Sequence, residues 1–480
     1  MRPPLNIAVL SFFILLNTLL HLPFLSLPPC GDHVWRQCNT MAMSRNMYEG
    51  DGSLMAPSID RRNATNGITG SHFPLYEWGL AQWSKLTGFN DQSARTYALA
   101  IFSVAMLLMY SILLFLGIDW IQSVLGALLL LTIPQFYYDS INAMPDNLAL
   151  CFALLAWRAQ LAMTEQKTSF LWVLLASLSA LLCGLIKPQF LIIPMSNWWL
   201  IANKRSIVFF LHPALFVLLG VGVWYWHADQ LTQVNNLKEF GLWIKPIGFA
   251  AILKTVFKNI VSDWPELLLG WPLFIAFVLL AFGVKHKPYY LKQTIKWQTL
   301  GFALFYALAI ERMHDHSYYF MAILPVMLLL VVTLLQNTNK PLFYLSILCL
   351  SNAIWAYCRI VPNRWQAPHL DIPAAFTDRA QRDTLTQYLN HSEHCLVGPD
   401  VSGCVWFYFT HTKGFSFEHA EELFENNGNG TWKRDMSAFG IDYILIDTSA
   451  HTKRYLLDHI PNKRLLKTVS GLSVWKIEHP

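Results

Sequence analysis

Long runs of apolar residues, separated by short polar segments, recur along the first 360 residues of the chain. A helix needs about 20 mostly apolar residues to cross the hydrocarbon core of a bilayer. Eleven runs approach or reach that length, of which the third and the sixth are short. These runs are residues 5–27, 96–117, 121–134, 146–163, 169–187, 188–202, 206–226, 264–283, 297–312, 317–336 and 341–359. The pattern predicts a polytopic α-helical membrane protein with about 11 transmembrane helices.

Composition and loop charges agree with this prediction and indicate an orientation. Apolar residues make up 54% of the chain and charged residues 14%, whereas soluble domains carry about 25% charged residues. The first run is longer than the apolar core of a signal peptide, so we expect an uncleaved anchor. Basic residues occur in loops 158–167, 203–205, 285–296 and 339–340, and loop 134–146 has none. The positive-inside rule then predicts a cytoplasmic N-terminus and an extracytoplasmic C-terminus.

Three long segments fall outside the apolar runs, namely residues 28–95, 227–263 and 361–480. The first outer loop, residues 28–95, contains two stretches, 35–48 and 74–86, that are typical of amphipathic helices on a membrane surface. After residue 360, helix-like pieces alternate with short apolar strands. The predicted strands are residues 395–398, 405–409, 443–447 and 472–477. We therefore expect a transmembrane domain, residues 1–360, and a small extracytoplasmic α/β domain, residues 361–480.

Polar chemistry is concentrated just after the first apolar run. Positions 32–37 supply a carboxylate, an imidazole, an indole, a guanidinium and an amide, carried by Asp32, His33, Trp35, Arg36 and Gln37. An ionisable residue at such a place is a functional hypothesis by default, and a carboxylate could take a proton from an acceptor hydroxyl as a general base. The alternative is that Asp32 only caps the following helix. The adjacent polar side chains favour function.

Three further residues are candidates for the same outer region. Lys187 lies between two apolar segments, where an ammonium suits the phosphate of a lipid; a snorkelling lysine would give the same pattern. Asp146 opens a predicted helix and either serves a site or caps that helix. Glu77, on the second loop helix, faces either a cavity or water.

A histidine-rich segment follows the ninth apolar run. His314 and His316 flank Asp315, and Tyr318 lies two residues further on. Two histidines and an aspartate could bind a divalent metal such as zinc, although three neighbouring ligands do not complete a tetrahedral site. They could equally hydrogen-bond a phosphate or a sugar, or belong to a polar loop with interfacial aromatic residues.

The cysteines leave one structural question open. Cys30 and Cys38, and likewise Cys395 and Cys404, form two pairs on the predicted outer side, where disulfides can persist. A bridge between Cys30 and Cys38 would clamp the loop around Asp32. Spacing alone does not decide whether either bridge forms.

The order of these motifs resembles that of bacterial membrane glycosyltransferases of the GT-C fold. The resemblance is greatest to family 39, whose relatives are protein O-mannosyltransferases and lipid A aminoarabinose transferases. It covers about residues 1–340. The segments that carry it are 32–37, 45–48, 73–76, 144–146, 187–188 and 314–319.

The resemblance implies an activity and a set of residue roles. The donor would be a sugar on a polyprenyl phosphate at the outer leaflet of the bacterial inner membrane. The acceptor would be a hydroxyl of lipid A, a polysaccharide or a protein, and it would attack the anomeric carbon with inversion. Asp32 matches the family's first-loop aspartate, its proposed base. Arg36 and Lys187 match positions that would hold the leaving phosphate, and His314 and Tyr318 would line the same cavity.

One departure limits what the family implies. Mannosyltransferases of this kind often carry an Asp-Glu pair in the first loop, whereas this chain has Asp32 followed by His33. The identity of the acceptor and any requirement for a divalent metal therefore do not carry over.

Two other function classes remain open at this point. A transporter or flippase for polyprenyl-linked glycans would explain the apolar runs, but not a large outer loop rich in candidate catalytic groups. A ligase would use the same outer-leaflet substrate and transfer whole glycans. The sequence contains no Walker A motif or Rossmann fingerprint, which argues against a nucleotide-driven pump or a nucleotide-cofactor enzyme.

Overall fold

The computed structural model describes residues 3–165, 170–202, 207–235, 237, 247–281, 289–367, 372–418, 439–447, 457, 460 and 462–478. Of the loops that predict the orientation, 203–205 and parts of 158–167 and 285–296 lie outside these residues. α-Helices occupy most of the described chain up to residue 360. In chain order they are α1 (Pro3–His21), α2 (Val34–Glu49), α3 (Leu75–Thr87), α4 (Asp91–Phe115), α5 (Trp120–Thr132), α6 (Pro134–Asp139), α7 (Asp146–Glu165), α8 (Phe170–Ile186), α9 (Ile192–Ala202), α10 (Ile207–Asn235), α11 (Phe249–Lys258), α12 (Trp271–Ala281), α13 (Tyr289–Leu308), α14 (Ile310–Met313), α15 (Leu324–Leu335) and α16 (Pro341–Ile360).

Tighter and wider helical turns connect several of these helices. Short 3-10 segments occupy Leu22–Phe24, Pro188–Leu191 and Ser317–Ala322. Wider π-helical segments occupy Asn259–Leu268 and Val361–Trp365.

Helical residues occur in each of the eleven apolar runs, but their lengths differ. Among the described residues, five helices are long and apolar enough to cross a membrane: 6–24, 91–115, 146–164, 211–235 and 341–365. A sixth is added if 249–268 and 271–280, which are bent by 114° to each other, form one broken span. Three shorter apolar helices are α5, α8 and α15. The number of eleven spans stays a prediction.

The chain divides into two compact units. The first unit comprises residues 1–26, 90–227 and 242–366, and the second comprises residues 27–89, 228–241 and 367–480. The first outer loop, predicted to belong with the transmembrane helices, is thus grouped with the C-terminal residues.

A buried asparagine satisfies the backbone where the bent pair breaks. Asn352 donates from Nδ2 to the carbonyls of Leu269 at 2.9 Å and Thr132 at 2.8 Å, and its Oδ1 lies 3.4 Å from the amide nitrogen of Leu273. Gly270 has φ +83°, and a Cβ there would collide with Asn352 Oδ1. Because hydrocarbon offers no partners to an interrupted helix, this side chain replaces the missing helical hydrogen bonds.

In the second unit, the two loop helices form where the sequence predicts them. α3 exposes Trp78 and Leu86 on one side and buries Tyr76 and Leu80 on the other. The amphipathic interpretation is wrong for α2, because buried residues occur all around this helix. Several of its polar side chains, among them those of Arg36, Arg45 and Asn46, are hydrogen-bonded inside the unit, and a periodicity of apolar positions does not predict such contacts.

Arg45 is the clearest example of this buried pairing. Its Nη2 lies 2.7 Å from Asp60 Oδ2, with both side chains almost fully buried, and its Nη1 donates to the carbonyl oxygen of Tyr408 at 3.2 Å. Asn46 Nδ2 donates to Asp60 Oδ1 at 3.1 Å. The arginine thus connects the first outer loop to the C-terminal residues of the same unit.

Replacing Arg45 by methionine should lower the free energy of unfolding by about 3–5 kcal/mol, since Asp60 would remain as a buried charge without its partner. Thermal unfolding of the purified protein in detergent measures this loss. The control is Arg379→Met, because Arg379 pairs with Asp383 across an exposed helix face and should cost less than about 1 kcal/mol. Equal losses in the two variants would contradict the assigned role of Arg45.

A mixed sheet forms the C-terminal part of the second unit. Its strands are β1 (Cys395–Gly398), β2 (Gly414–Ser416), β3 (Tyr443–Asp447), β4 (Lys463–Val469) and β5 (Leu472–Ile477). The order is β2-β1-β3-β5-β4, with β1 parallel to β2 and β3, and β5 antiparallel to β3 and β4. Three helices accompany it: α17 (Ala374–Thr377), α18 (Arg379–Leu389) and α19 (Val405–Thr410). The predicted α/β character is therefore observed.

One predicted strand is wrong. Residues 405–409 form α19, whose six residues are all buried. A short apolar run that is buried on every side has no periodicity to separate strand from helix. The start of the helix is fixed by Asp400, whose carboxylate accepts hydrogen bonds from the amides of Ser402, Gly403 and Trp406.

Neither proposed cysteine pair is joined. All eight cysteines belong to the described residues, and none of them forms a disulfide in this structure. The turn that carries Asp32 is held by hydrogen bonds instead.

Candidate functional site

The predicted site residues fall into two sets, one in each unit. Asp32, His33, Trp35, Arg36 and Gln37 belong to the second unit. Lys187, His314 and Tyr318, together with Asp146, Asp315 and His316, belong to the first.

In the second unit, a tight turn presents Asp32 just before α2. Gly31 and His33 both have positive φ, 74° and 53°, so the backbone reverses around a half-buried Asp32. Gln37 Nε2 donates to the carbonyls of Cys30 at 2.9 Å and Asp32 at 3.2 Å. His33 occupies the N-cap and makes no side-chain cap hydrogen bond. Asp32 therefore stands one residue before the cap, and Gln37 fixes the backbone that carries it.

Arg36 lies in a buried chain of polar groups in the same unit. Its Nη2 is 2.9 Å from His72 Nδ1, and His72 Nε2 is 2.9 Å from Glu77 Oε1. Ser71 Oγ also lies 2.9 Å from His72 Nδ1. Among the residues that the structure describes, Arg36 Nε has no hydrogen-bond acceptor although it is buried. A buried donor of this kind calls for an explanation, such as a ligand.

Glu77 supplies the negative charge in this series of hydrogen-bonded polar groups. Burial alone would raise the pKa of this fully buried carboxyl group, but the nearby His72 and Arg36 hold that pKa below its usual value. Glu77 therefore does not face water; it is buried and its carboxylate contacts His72. Sequence reasoning did not single out His72, which directly precedes the motif at 73–76.

In the first unit, Lys187 and Asp146 form a buried ion pair. Lys187 Nζ lies 3.2 Å from Asp146 Oδ2, with side-chain exposures of 9% and 0%. Gln189 Nε2 is 3.4 Å from the other carboxylate oxygen. The lysine stands between the end of α8 and the 3-10 turn that begins at Pro188, and its Nζ is 5.1 Å from the ring centre of Tyr318. The structure thus brings together three predicted residues, Asp146, Lys187 and Tyr318.

Asp139 is a further acidic residue near this pair, on the same predicted outer loop as Asp146 in the sequence. Its Oδ2 accepts a hydrogen bond from Gln135 Nε2 at 2.5 Å, and its carbonyl oxygen accepts one from Asn147 Nδ2 at 2.6 Å. Burial, together with the charge of Asp146, raises the pKa of Asp139 to about 8. At neutral pH Asp139 is therefore mostly protonated.

Of the three residues proposed as metal ligands, two pair with each other and the third packs against two tyrosines. His314 Nδ1 pairs with the carboxylate of Asp315, whose side chain is largely exposed. The His316 ring stacks on that of Tyr319, with the ring centres 5.7 Å apart, and meets the Tyr318 ring edge-on at 5.5 Å. Within the described ranges, no group of three or more His, Cys, Asp and Glu side chains could hold a metal ion. The structure does not assemble the zinc site that the spacing of 314–316 suggests.

His316 should make the protein less stable in mildly acidic solution. Burial, and then the charge of Arg312, lowers the pKa of this imidazole to about 4, against about 6.5 in the unfolded chain. Because the unfolded state takes up the proton first, the stabilising contribution is complete above about pH 6.5 and is lost as the pH falls towards 4. Unfolding measured from pH 7 to 4 should show a smaller decline in His316→Gln than in the wild type. Parallel curves for the two proteins would contradict this role.

Comparisons with known proteins identify the fold. No family model matches the chain, and no curated protein matches it in sequence. Solved structures match over nearly its whole length. The crystal structure of ArnT from Cupriavidus metallidurans bound to undecaprenyl phosphate has a TM-score of 0.62 at 10% identity, covering 97% of each chain. The same protein in the apo state gives 0.63 at 11% identity.

A second kind of protein shares the fold. The crystal structure of the Archaeoglobus fulgidus oligosaccharyltransferase in complex with Zn and sulfate has a TM-score of 0.55 at 13% identity, over 94% of this chain and 70% of that chain. The predicted GT-C fold is therefore confirmed, with its apolar helices and its small C-terminal sheet. The chain folds as an integral membrane protein of this class.

Proposed function

We propose that this protein is an inverting glycosyltransferase that moves a sugar from a polyprenyl-phosphate donor to a hydroxyl acceptor. The observation that carries the proposal is in the second unit, where a half-buried carboxylate, Asp32, and a buried guanidinium, Arg36, lie within five positions of each other. The Arg36 Nε–H has no acceptor among the described residues, which favours an anionic ligand. The fold shared with ArnT bound to undecaprenyl phosphate supports a lipid phosphate as that anion.

The proposed reaction needs one base and a stabilised leaving group. The oxygen of the acceptor hydroxyl attacks the anomeric carbon, and its proton passes to the Asp32 carboxylate. The bond between that carbon and the phosphate oxygen breaks, and its electron pair leaves with the polyprenyl phosphate. The departing group is already a stable anion, so no acid needs to protonate it. Positive groups placed where charge develops lower the barrier further.

We assign a role in binding the donor phosphate to Arg36 in the second unit and, as a separate proposal, to Lys187 in the first. The ion pair with Asp146 and the ring of Tyr318 hold Lys187 in place, so the ammonium has a defined position before a donor arrives. Trp35 and His33 are proposed to support Asp32 and Arg36 in the second unit, and His314 to contribute to donor binding in the first. Gln37 supports Asp32 through the backbone of the turn.

The location follows from the outer-leaflet donor. We propose the bacterial inner membrane, with the N-terminus in the cytoplasm and residues 361–480 on the other side. The acceptor is a hydroxyl of a lipid, a polysaccharide or a protein.

Transfer in a reconstituted system tests this function. Purified protein in lipid vesicles is given radiolabelled sugars on polyprenyl phosphate together with candidate hydroxyl acceptors. We expect a labelled product that carries one sugar and one released polyprenyl phosphate for each sugar transferred. Movement of the intact donor across the bilayer without release would support a transporter instead. Transfer of a whole glycan from a lipid-linked oligosaccharide would support a ligase.

A further inference from the structure

We infer that His72 is a positioning residue, which holds the guanidinium of Arg36 towards its anion through Nδ1 and is itself held by Glu77. This inference rests on the proposed function and names a residue that acts through Arg36. It makes the segment 71–77 part of the donor site, although no side chain of that segment needs to touch the reacting atoms.

The contact between Arg36 and His72 decides the state of the imidazole ring. A guanidinium carries only hydrogen-bond donors, and its Nη2 lies 2.9 Å from His72 Nδ1. Nδ1 must therefore present a lone pair, and the ring proton resides on Nε2. That nitrogen lies 2.9 Å from Glu77 Oε1, so Nε2–H donates to the carboxylate. The tautomer follows from the two partners, one on each side of the ring.

Ser71 is the second neighbour of the same ring nitrogen. Its Oγ lies 2.9 Å from His72 Nδ1, and a hydroxyl can rotate to donate or accept. The Arg36 guanidinium cannot do so. The serine hydroxyl can therefore donate to the lone pair on Nδ1 without determining the tautomer, whereas the contact with arginine requires that lone pair.

Burial makes the arrangement rigid. Arg36, His72 and Glu77 have exposures of 6%, 8% and 0%, and they connect α2 to α3 inside the second unit. Hydrogen bonds away from water are stronger, and an unpaired polar group there is costly. With Nη2 held by His72, the orientation of the planar guanidinium is restricted, and its Nε–H, which has no acceptor within the described part of the chain, keeps one direction.

Two substitutions of His72 distinguish the role of Nδ1 from that of Nε2. In His72→Asn, the amide oxygen can stand near the position of Nδ1 and keep an acceptor for Arg36. In His72→Gln, the longer amide can keep a donor for Glu77, but the acceptor for Arg36 is lost. Because a hydrogen bond to a charged group is typically worth about 1.5–3 kcal/mol, we expect the KM for the donor to rise about tenfold or more in His72→Gln. The rise in His72→Asn should be less than about threefold, and kcat should change less than KM in both.

A double variant tests whether His72 acts through Arg36. Residues in one network are not additive, so Arg36→Gln/His72→Gln should have nearly the same KM as Arg36→Gln alone. The matched control is His391→Gln, which makes the same change at an exposed histidine of the same unit and should retain the wild-type KM. Equal effects of His72→Asn and His72→Gln, or additive effects with Arg36→Gln, would overturn the inference.

Measuring the binding of undecaprenyl phosphate tests the role of His72 independently of the sugar-transfer assay that tests the proposed function. The dissociation constant of that lipid is measured for the same variants in detergent, and should follow the same order as KM. If the wild type transfers no sugar but binds the lipid, the proposed function fails and the order of the variants still decides the role of His72. If the wild type does neither, both proposals are overturned.

Thermal unfolding would reveal whether His72→Gln fails to fold. In that case a second variant, Glu77→Gln, tests the inference. Glu77→Gln replaces the carboxylate by an amide that can donate as well as accept. The proton of His72 is then no longer confined to Nε2, and the lone pair on Nδ1 is no longer guaranteed. We expect the dissociation constant for undecaprenyl phosphate to rise at least about threefold, and an unchanged constant would contradict the inference.

Discussion

Replacing Asp32 by asparagine should reduce sugar transfer by about 10²–10⁴-fold, which is the usual contribution of a positioned general base. Asparagine has nearly the same shape, but its amide does not take up a proton at neutral pH. Gln37 donates to the backbone carbonyl of Asp32, and asparagine leaves that carbonyl in place, so the turn should persist and the protein should fold. The measurement is single-turnover transfer from a polyprenyl-phosphate sugar, together with binding of the donor.

The control for this prediction makes the same change elsewhere in the second unit. Asp378 caps α18 by accepting from the amide of Gln381 at 3.0 Å, and asparagine serves equally well at such a cap. Asp378→Asn should therefore transfer at the wild-type rate. Donor binding within about twofold of wild type, with transfer lost only in Asp32→Asn, identifies the base. Transfer near the wild-type rate in Asp32→Asn would remove Asp32 from the mechanism.

Replacing Lys187 by methionine should lower the free energy of unfolding by about 3–5 kcal/mol and also abolish measurable donor binding. The first effect arises because Asp146 would be left as a buried charge without its partner. The second arises because the proposed phosphate contact would be lost. Asp146→Asn should be destabilising by the same argument, since it leaves the lysine unpaired.

The double variant Lys187→Met/Asp146→Asn distinguishes the two effects. With both charges removed, most of the lost stability should return, because neutral replacements avoid the cost of burying a single charge. Donor binding should not return, because the ammonium is absent. Thermal unfolding and binding of undecaprenyl phosphate are measured on the four proteins of the cycle. Recovery of donor binding in the double variant would show that Lys187 has only a structural role.

The sequence predicts the helices well where composition alone decides them. Apolar runs such as 341–359 leave no other stable structure in a bilayer, and α16 forms there. The run 405–409 is different, because its apolar residues fit a buried strand and a buried helix equally well. Contacts with Asp400, which no local pattern indicates, decide for the helix.

Individual site residues can be predicted from the sequence, but the residues that they contact cannot. Asp146 and Lys187 each stand out as polar groups at the ends of apolar runs, 41 positions apart. Their ion pair depends on how α7 packs against α8, and the sequence alone does not give that packing. His72 illustrates the reverse case. It lies beside a recognised motif, but its importance is visible only once Arg36 and Glu77 are seen on either side of its ring.

The break at Gly270 has a consequence for how variation in this protein should be interpreted. A residue with a side chain at position 270 would collide with Asn352, and the loss of Asn352 would leave the carbonyls of Thr132 and Leu269 without their partner. Both positions should therefore tolerate almost no substitution in a saturation mutagenesis screen for function. A map of such intolerance would mark them as strongly as Asp32, although neither is assigned any part in the reaction. Only a measurement of folded protein in the membrane would separate the residues that hold the backbone from those that act on the sugar.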